Sequence, residues 1–320
     1  EIRVPKEILK TPKAMEQIFS AIYAMYSYGF TRLQKWIEGQ VELWTSCEIV
    51  GHAGGTHFYI RIPLGQRNLL EAAIYSQYPD AEIREVEDYV NELPPALPNQ
   101  NYDVFGFEFI LVKPDPYPIK TYAYFESITE AQIEEKRIDP IAAITEISAN
   151  LKEDERVWIQ ILCRPAPGEW KEKGQKLINE LVGKKEPKKL SWLEETAIFF
   201  WNFFKAPVEY PTWPEPAEEK PVTPFSFHPP GIRAQVEAIE NKTSKLGFDS
   251  MIRFVYIDSR KSFSRANVGA VMGAIHQFNT QDLNAFKPNK KTMTHISKKI
   301  LQFVFKNRRL YLRKKRMFRF

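Results

Sequence analysis

The chain has 320 residues, 43% of them apolar and 27% charged, with 45 Lys and Arg against 40 Asp and Glu. That balance suits a folded protein with one large core or two of about 150 residues each, and it excludes collagen-like and disordered chains. Cys47 and Cys163 are its two cysteines; lying far apart, they predict no disulfide framework and no thiolate metal site, and they suit a reducing compartment.

Ile2–Val4 reads as a short strand. Thr11-Pro12 offers an N-cap residue followed by Pro at N1, opening a helix with Met15, Ile18, Phe19, Ile22 and Met25 on one face. Val41–Val50 and Thr56–Ile62 are predicted strands joined by His52-Ala53-Gly54-Gly55, a hairpin turn. Gln66–Tyr78 is predicted helical, stopping at Pro79, and Ala81–Val86 is strand-like. The order β-α-β-β-α-β is that of a ferredoxin-like fold.

Past the connection 93–103, Val104–Val112 alternates Phe105, Phe107, Phe109 and Leu111 with other positions. Asp139-Pro140 opens a helix with Ile141, Ile144, Ile147 and Leu151 inward. Arg156–Arg164 and Phe248–Asp258 are strands. Phe263–Phe278 is a helix with Phe263, Ala270, Val271, Ala274 and Phe278 inward, and Ile300–Phe305 is expected as the last strand. The expected fold is therefore α+β, with tandem ferredoxin-like halves at 1–92 and 104–305. The second half carries a large helical and Pro-rich insertion at 167–245, and a basic tail follows at 306–320.

The insertion predicts an amphipathic helix through Trp170, Gly174, Leu177, Ile178 and Leu181, and a further helix at Ile232–Lys245. Between them, Ala206–Pro230 holds eight prolines and reads as extended linker. Leu190–Lys205 is apolar around most of a helix, through Trp192, Phe199, Phe200, Trp201, Phe203 and Phe204 among others. Sixteen residues are too few to cross about 30 Å of hydrocarbon. The segment is expected either between domains or subunits, or lying in a membrane interface.

Charge is divided along the chain. Thirteen Lys and Arg fall in the last 38 residues, no Asp or Glu follows Asp282, and residues 1–283 carry 32 basic against 40 acidic groups. Such separation creates a local field for an anion. In the tail, Lys306, Arg308, Arg309, Arg313, Lys314, Lys315, Arg316 and Arg319 are candidate contacts to DNA or another anion. A membrane-proximal basic segment and a linker to a following domain are the other readings. The chain starts at Glu1 and ends in a basic run, so it is expected to be a piece of a longer protein.

No motif for catalysis or nucleotide binding is found: no G-x-x-x-x-G-K-[ST], no H-E-x-x-H, no G-x-S-x-G and no EF-hand loop. Cys47, His52 and His57 form the best metal candidate, yet hairpin residues of this kind are ordinarily structural. Glu82, Glu85, Glu87 and Asp88 read as a solvated strand end. Phe107, Phe109 and Trp158 invite a base-stacking sheet, but no RNP1 string accompanies them and core packing is the default. No catalytic residue, cofactor or metal ligand is assigned.

Five strings, HFYIRIP (57–63), QYPDAEIREVEDY (77–89), DPIAAITEI (139–147), RVWIQILCRPA (156–166) and QFNTQDLN (277–284), together with the opening EIRVPKEILKTPKAMEQIF, carry a resemblance. The chain resembles an uncharacterised domain that precedes the motor in type IV secretion and conjugation-like ATPases of the HerA/TraG/FtsK superfamily, seen mostly in candidate-phylum bacteria. The resemblance implies a transmembrane segment upstream, an ATPase domain downstream in the same parent chain, homo-oligomers, and a place on the cytoplasmic face of the cell membrane. It transfers no functional residue, because the Walker motifs have no counterpart here. The expectation is a non-catalytic assembly and docking domain; the alternative is a nucleic-acid-binding module using the tail.

Overall fold

A computed structural model of the chain describes residues 1–5, 12–25, 43–52, 55–94, 97–127, 139–166, 168–184, 196 and 229–294. In chain order these form β1 (Ile2–Arg3), α1 (Ala14–Tyr23), β2 (Thr45–His52), β3 (Gly55–Arg61), α2 (Arg67–Gln77), β4 (Glu82–Ile83) and β5 (Tyr102–Leu111). There follow α3 (Tyr122–Ser127), α4 (Ala142–Ala149), β6 (Arg156–Pro165), α5 (Glu169–Leu181), α6 (Pro230–Thr243), β7 (Phe248–Ser259), α7 (Ala266–His276) and β8 (Phe286–Pro288). The architecture is α+β. All eight strands join one sheet in the order β4-β1-β3-β2-β6-β7-β5-β8, and every pairing is antiparallel.

Period-2 alternation sorts the strand residues onto two faces. Ile49, Ile159, Phe254 and Phe107 stand opposite one another from strand to strand, as do Val50, Trp158, Val255 and Gly106 on the reverse side. The first face carries the helices. Ile18 and Ile22 of α1 and Leu70 and Ile74 of α2 pack with Ile2, Ile60, Ile62 and Ile83. Further along, Ile144 of α4 and Val268, Val271, Ala274 and Ile275 of α7 pack on Phe105, Phe107, Phe109, Phe254 and Tyr256. Phe254 and Tyr256 are fully buried, each stabilising the fold by about 2–3 kcal/mol relative to exposure. On the second face, Tyr89, Val90 and Leu93, in and just after a 3₁₀ turn at Tyr89–Glu92, cover Val50, Trp158, Val255 and Ile257.

Gly51, Gly174 and Gly247 mark close approaches, the last against the Trp170 ring. A Cβ on Gly51 would lie 2.4 Å from Ser148 Oγ, so α4 rests directly on β2. A Cβ on Gly174 would lie 2.4 Å from Thr243 Cγ2, where α5 meets α6; there Ile178 packs with Val236 and Ile239.

Several expectations are corrected. The Thr11 cap lies outside the described residues; α1 starts at Ala14 with Lys13 at the N-cap position and no side-chain cap bond. In α7, Ala270 is exposed, and Val268 and Ile275 fill the inward positions instead. The expected strand Ile300–Phe305 also lies outside the described residues. The strand beside β5 is β8, with Phe109 opposite Pro288 and Leu111 opposite Phe286.

Side-chain bonds, more than strand propensity, hold β8 in place. Asn284 Oδ1 accepts from the Lys113 and Ala285 amides, and its Nδ2 donates to the carbonyls of Lys113, Pro114 and Tyr117. Asn279 Oδ1 accepts from the Phe286 amide. The string QFNTQDLN is thus the clasp that turns the chain from α7 into β8.

Candidate functional site

Even-numbered positions of β2 and their partners in β3 put His52, His57 and Tyr59 on the second face, and the rings stack in sequence. His52 and His57 are parallel at 4.5 Å between centroids, and His57 and Tyr59 follow at 6.1 Å. Tyr89 lies 5.3 Å from Tyr59 and meets Trp158 edge-on at 4.9 Å. His57 Nδ1 is 3.0 Å from Glu1 Oε1. Burial holds His52 below the usual histidine range, with the neighbouring His57 adding to the effect, so the stack is favoured with His52 neutral. Cys47 stands in line with Ile60 and Ile161, on the helix-covered face. The Cys47, His52 and His57 set therefore does not converge, and among the described residues no cluster of three or more His, Cys, Asp or Glu is placed to hold a metal ion.

Beside the rings a polar row crosses four central strands. Glu48 of β2 stands opposite Gln160 of β6, Gln160 opposite Arg253 of β7, and Arg253 opposite Glu108 of β5. All four are buried, none more than 3% exposed. The Tyr89 hydroxyl donates to Glu48 Oε2 at 2.5 Å and accepts from Gln160 Nε2 at 2.8 Å, tying the row to the ring stack. Two carboxyl groups share one guanidinium in this row near the middle of the sheet, and removing Arg253 would leave both without it. Phe107, Phe109 and Trp158 are all buried, so they serve as core packing.

A cleft of about 300 Å³ opens next to Tyr59 and Glu48. Ile60, Ile62, Leu70 and Ile83 line it. Leu64 and Val86 also line it, yet they expose 81% and 45% of their surface. Six carboxylates share the lining with three arginines. Arg67 is held by Glu71 at 2.7 Å and Glu85 at 2.6 Å, Arg84 by Glu82 at 2.5 Å, and Arg61 sits over the Trp44 ring. Such exposed pairs, screened by water, add little to stability, and they leave the cleft acidic. Glu82, Glu85, Glu87 and Asp88 are exposed as expected of a strand end; Asp88 also accepts from the Val90 amide at 3.1 Å, capping the 3₁₀ turn.

Antiparallel pairing of β2 with β6 sets Thr45 opposite Cys163 and Cys47 opposite Ile161. The two cysteines, distant in sequence, are thus diagonal neighbours on one face. Their thiols are hydrogen-bonded: the bond lowers Cys47, and the same bond together with burial pushes Cys163 up. Both thiols are free.

The other expected site residues, Lys306, Arg308, Arg309, Arg313, Lys314, Lys315, Arg316 and Arg319 in the tail and Trp192, Phe199, Phe200, Trp201, Phe203 and Phe204 in the insertion, lie outside the described residues. Among the described residues no helix is long and apolar enough to cross a membrane. A family model described as a domain of unknown function, DUF8128, matches residues 10–317. Neither the curated proteins nor the solved structures gave a match.

Proposed function

Since the chain belongs to the DUF8128 family of domains of unknown function, we propose that it is a non-catalytic assembly and docking domain of a membrane-associated, type IV secretion- or conjugation-like translocation ATPase. On this reading it works at the cytoplasmic face of the cell membrane, in homo-oligomers, and positions an ATPase domain that follows it in the parent chain.

The finer fold reading is two ferredoxin-like halves. Two features support it: β1–β4 lie in the order β4-β1-β3-β2, and β5–β8 repeat that order in mirror image, as β8-β5-β7-β6. Each set runs β-α-β-β-α-β, through α1 and α2 in one and α4 and α7 in the other, with the α5–α6 pair inserted between β6 and β7. The halves join through β2 and β6.

The observation that carries the functional reading is how the chain leaves the sheet. The Asn289 amide donates to the Glu108 carbonyl at 2.8 Å, and the Thr292 hydroxyl accepts from the Glu108 amide at 3.0 Å. Thr294 both donates to the Gly106 carbonyl, at 3.1 Å, and accepts from the Gly106 amide, at 3.3 Å. Up to Thr294 the chain is therefore fastened to β5, as a domain that orients a neighbour requires.

The test is co-elution of the purified chain with a HerA/TraG/FtsK-type motor domain from the same genome, alongside an ATP hydrolysis assay of the chain alone. Co-elution without hydrolysis is expected; ATP turnover by the chain, or no association with the motor, overturns the proposal. A second reading, a nucleic-acid module, draws on the ten Lys and Arg and absent Asp and Glu in 295–320. It requires DNA affinity that falls steeply with salt and vanishes on deleting 306–320.

A further inference from the structure

We propose that the acidic cleft beside β3 and β4 is the docking site for the basic, aromatic tail, residues 306–320, of a second copy of this chain. The proposal rests on the assembly reading and names the surface and partner that assembly would use.

The cleft is suited to a segment that is both cationic and apolar. Ile60, Ile62, Leu70 and Ile83 offer apolar surface, and Leu64 and Val86 stand exposed beside them. Around them the carboxylates of Glu71, Glu85, Glu87 and Asp88 outnumber the arginines, each of which already has an acidic or aromatic partner. The tail supplies the complement: eight Lys and Arg interleaved with Leu310, Tyr311, Leu312, Met317, Phe318 and Phe320, with no acidic residue. Opposite charge steers such an encounter, and apolar burial holds it.

The chain's own tail would enter the cleft only with residues 295–305 drawn out along the sheet, which a second copy does not require. Thr294 is fastened beside β5, near one edge, while β3, β1 and β4 bound the cleft at the other. At about 4.8 Å per strand, the distance is about 24 to 34 Å. The eleven residues 295–305 reach about 37 Å only when fully extended. A neighbouring copy removes that constraint. A tail-to-cleft contact closes when two copies exchange tails, and otherwise repeats from copy to copy as a ring or a filament.

The test uses the full chain in sedimentation velocity at low and high salt. Its variants are Glu85→Lys/Glu87→Lys at the cleft and Lys314→Glu/Lys315→Glu/Arg316→Glu in the tail, with circular dichroism to verify folding. The wild type is expected to associate at low salt, each variant at least tenfold more weakly, and an equimolar mixture of the two to recover association. A labelled 306–320 peptide should bind the tail variant at least tenfold more tightly than a protein that also carries the cleft substitutions.

Association that ignores both sets of substitutions leaves the assembly reading standing and overturns the cleft assignment. A monomeric chain whose tail variant still binds the peptide at the cleft overturns the second copy in favour of the chain's own tail. A monomeric chain that binds no peptide overturns both the assignment and self-assembly.

Discussion

Tyr256→Phe isolates one hydroxyl in the core. Tyr256 is fully buried; its hydroxyl lies 2.9 Å from Glu155 Oε1 and 3.3 Å from Asp258 Oδ2. Glu155 also accepts from Asn267 Nδ2 and the Lys152 amide, and Asp258 from the Ser259 amide and the Ser262 hydroxyl. Phenylalanine keeps the packing on Phe263, whose ring is 5.1 Å away, and removes only the donor facing two buried carboxylates. A hydrogen bond to a charged group contributes about 1.5–3 kcal/mol, so the variant should be less stable by that amount at pH 7.

The pH dependence has a definite sign. Burial, then the bond to Glu155 and the nearby negative charge, raises this hydroxyl above its ordinary value of 10.0. A raised folded-state pKa contributes stability that is complete below the unfolded value and is lost as pH climbs toward the folded one. Above about pH 10 the wild type should therefore lose about 1.4 kcal/mol per pH unit that the Phe variant does not. Urea unfolding followed by tryptophan fluorescence at pH 7, 10 and 11 measures both effects. A gap below about 0.5 kcal/mol at pH 7, or one that fails to narrow by pH 11, refutes the assignment.

Other substitutions probe separate contacts. Gly51→Ala drives a methyl group into Ser148 and should cost about 1–3 kcal/mol; a urea midpoint equal to wild type would show that α4 can retreat from β2. Asn284→Ala removes the clasp on 113–117 and should cost about 3 kcal/mol or more, with limited proteolysis cutting first within 278–294. In the native protein, iodoacetamide should alkylate Cys47 before Cys163, because their shared bond lowers one thiol and raises the other. Peptide mapping that finds Cys163 modified first would contradict the direction of that bond.

Elements with a strong local pattern were legible in the sequence. The β2–β3 hairpin announces itself by alternation on both sides of a glycine turn, and Gly55 has φ +115°, a conformation glycine adopts without strain. Asp139 accepts from the Ile141 amide at 2.8 Å, a turn just ahead of α4 and not the expected cap, since Ile141 holds the N-cap position with no side-chain cap bond. By contrast β8 has three residues, one of them proline, and exists because Asn279 and Asn284 hold it. The inward face of α7 departs from the sequence expectation at Ala270, because small residues at 269, 270, 273 and 274 blur the stripe.

The polar row left a readable trace, since Gln160 sits between Trp158 and Leu162 and Arg253 between Met251 and Val255. A lone polar residue inside an apolar strand face is the signal. Its partners, like the pairing of Cys47 with Cys163, depend on the register of strands far apart in the chain. No local window contains that information. The cleft was equally hidden, because only folding brings the 84–89 loop beside Tyr59 and Leu64.

The unequal lengths of the strand ladders determine how the sheet would carry mechanical load. Antiparallel hydrogen bonds run across the strands, so a pull along the strands shears a whole ladder at once, while a crosswise pull opens its bonds one after another. At the centre β6 and β7 share ten paired positions and β5 and β7 eight; at the rims β1 meets β3 at one, and β8 meets β5 at three. Crosswise tension applied through Thr294 would therefore peel β8 and its threonine attachments while the middle strands stayed zipped. The same tension directed along β5 would meet the full ladder to β7, so the direction of a tug decides whether the rim yields or the whole sheet moves as one body.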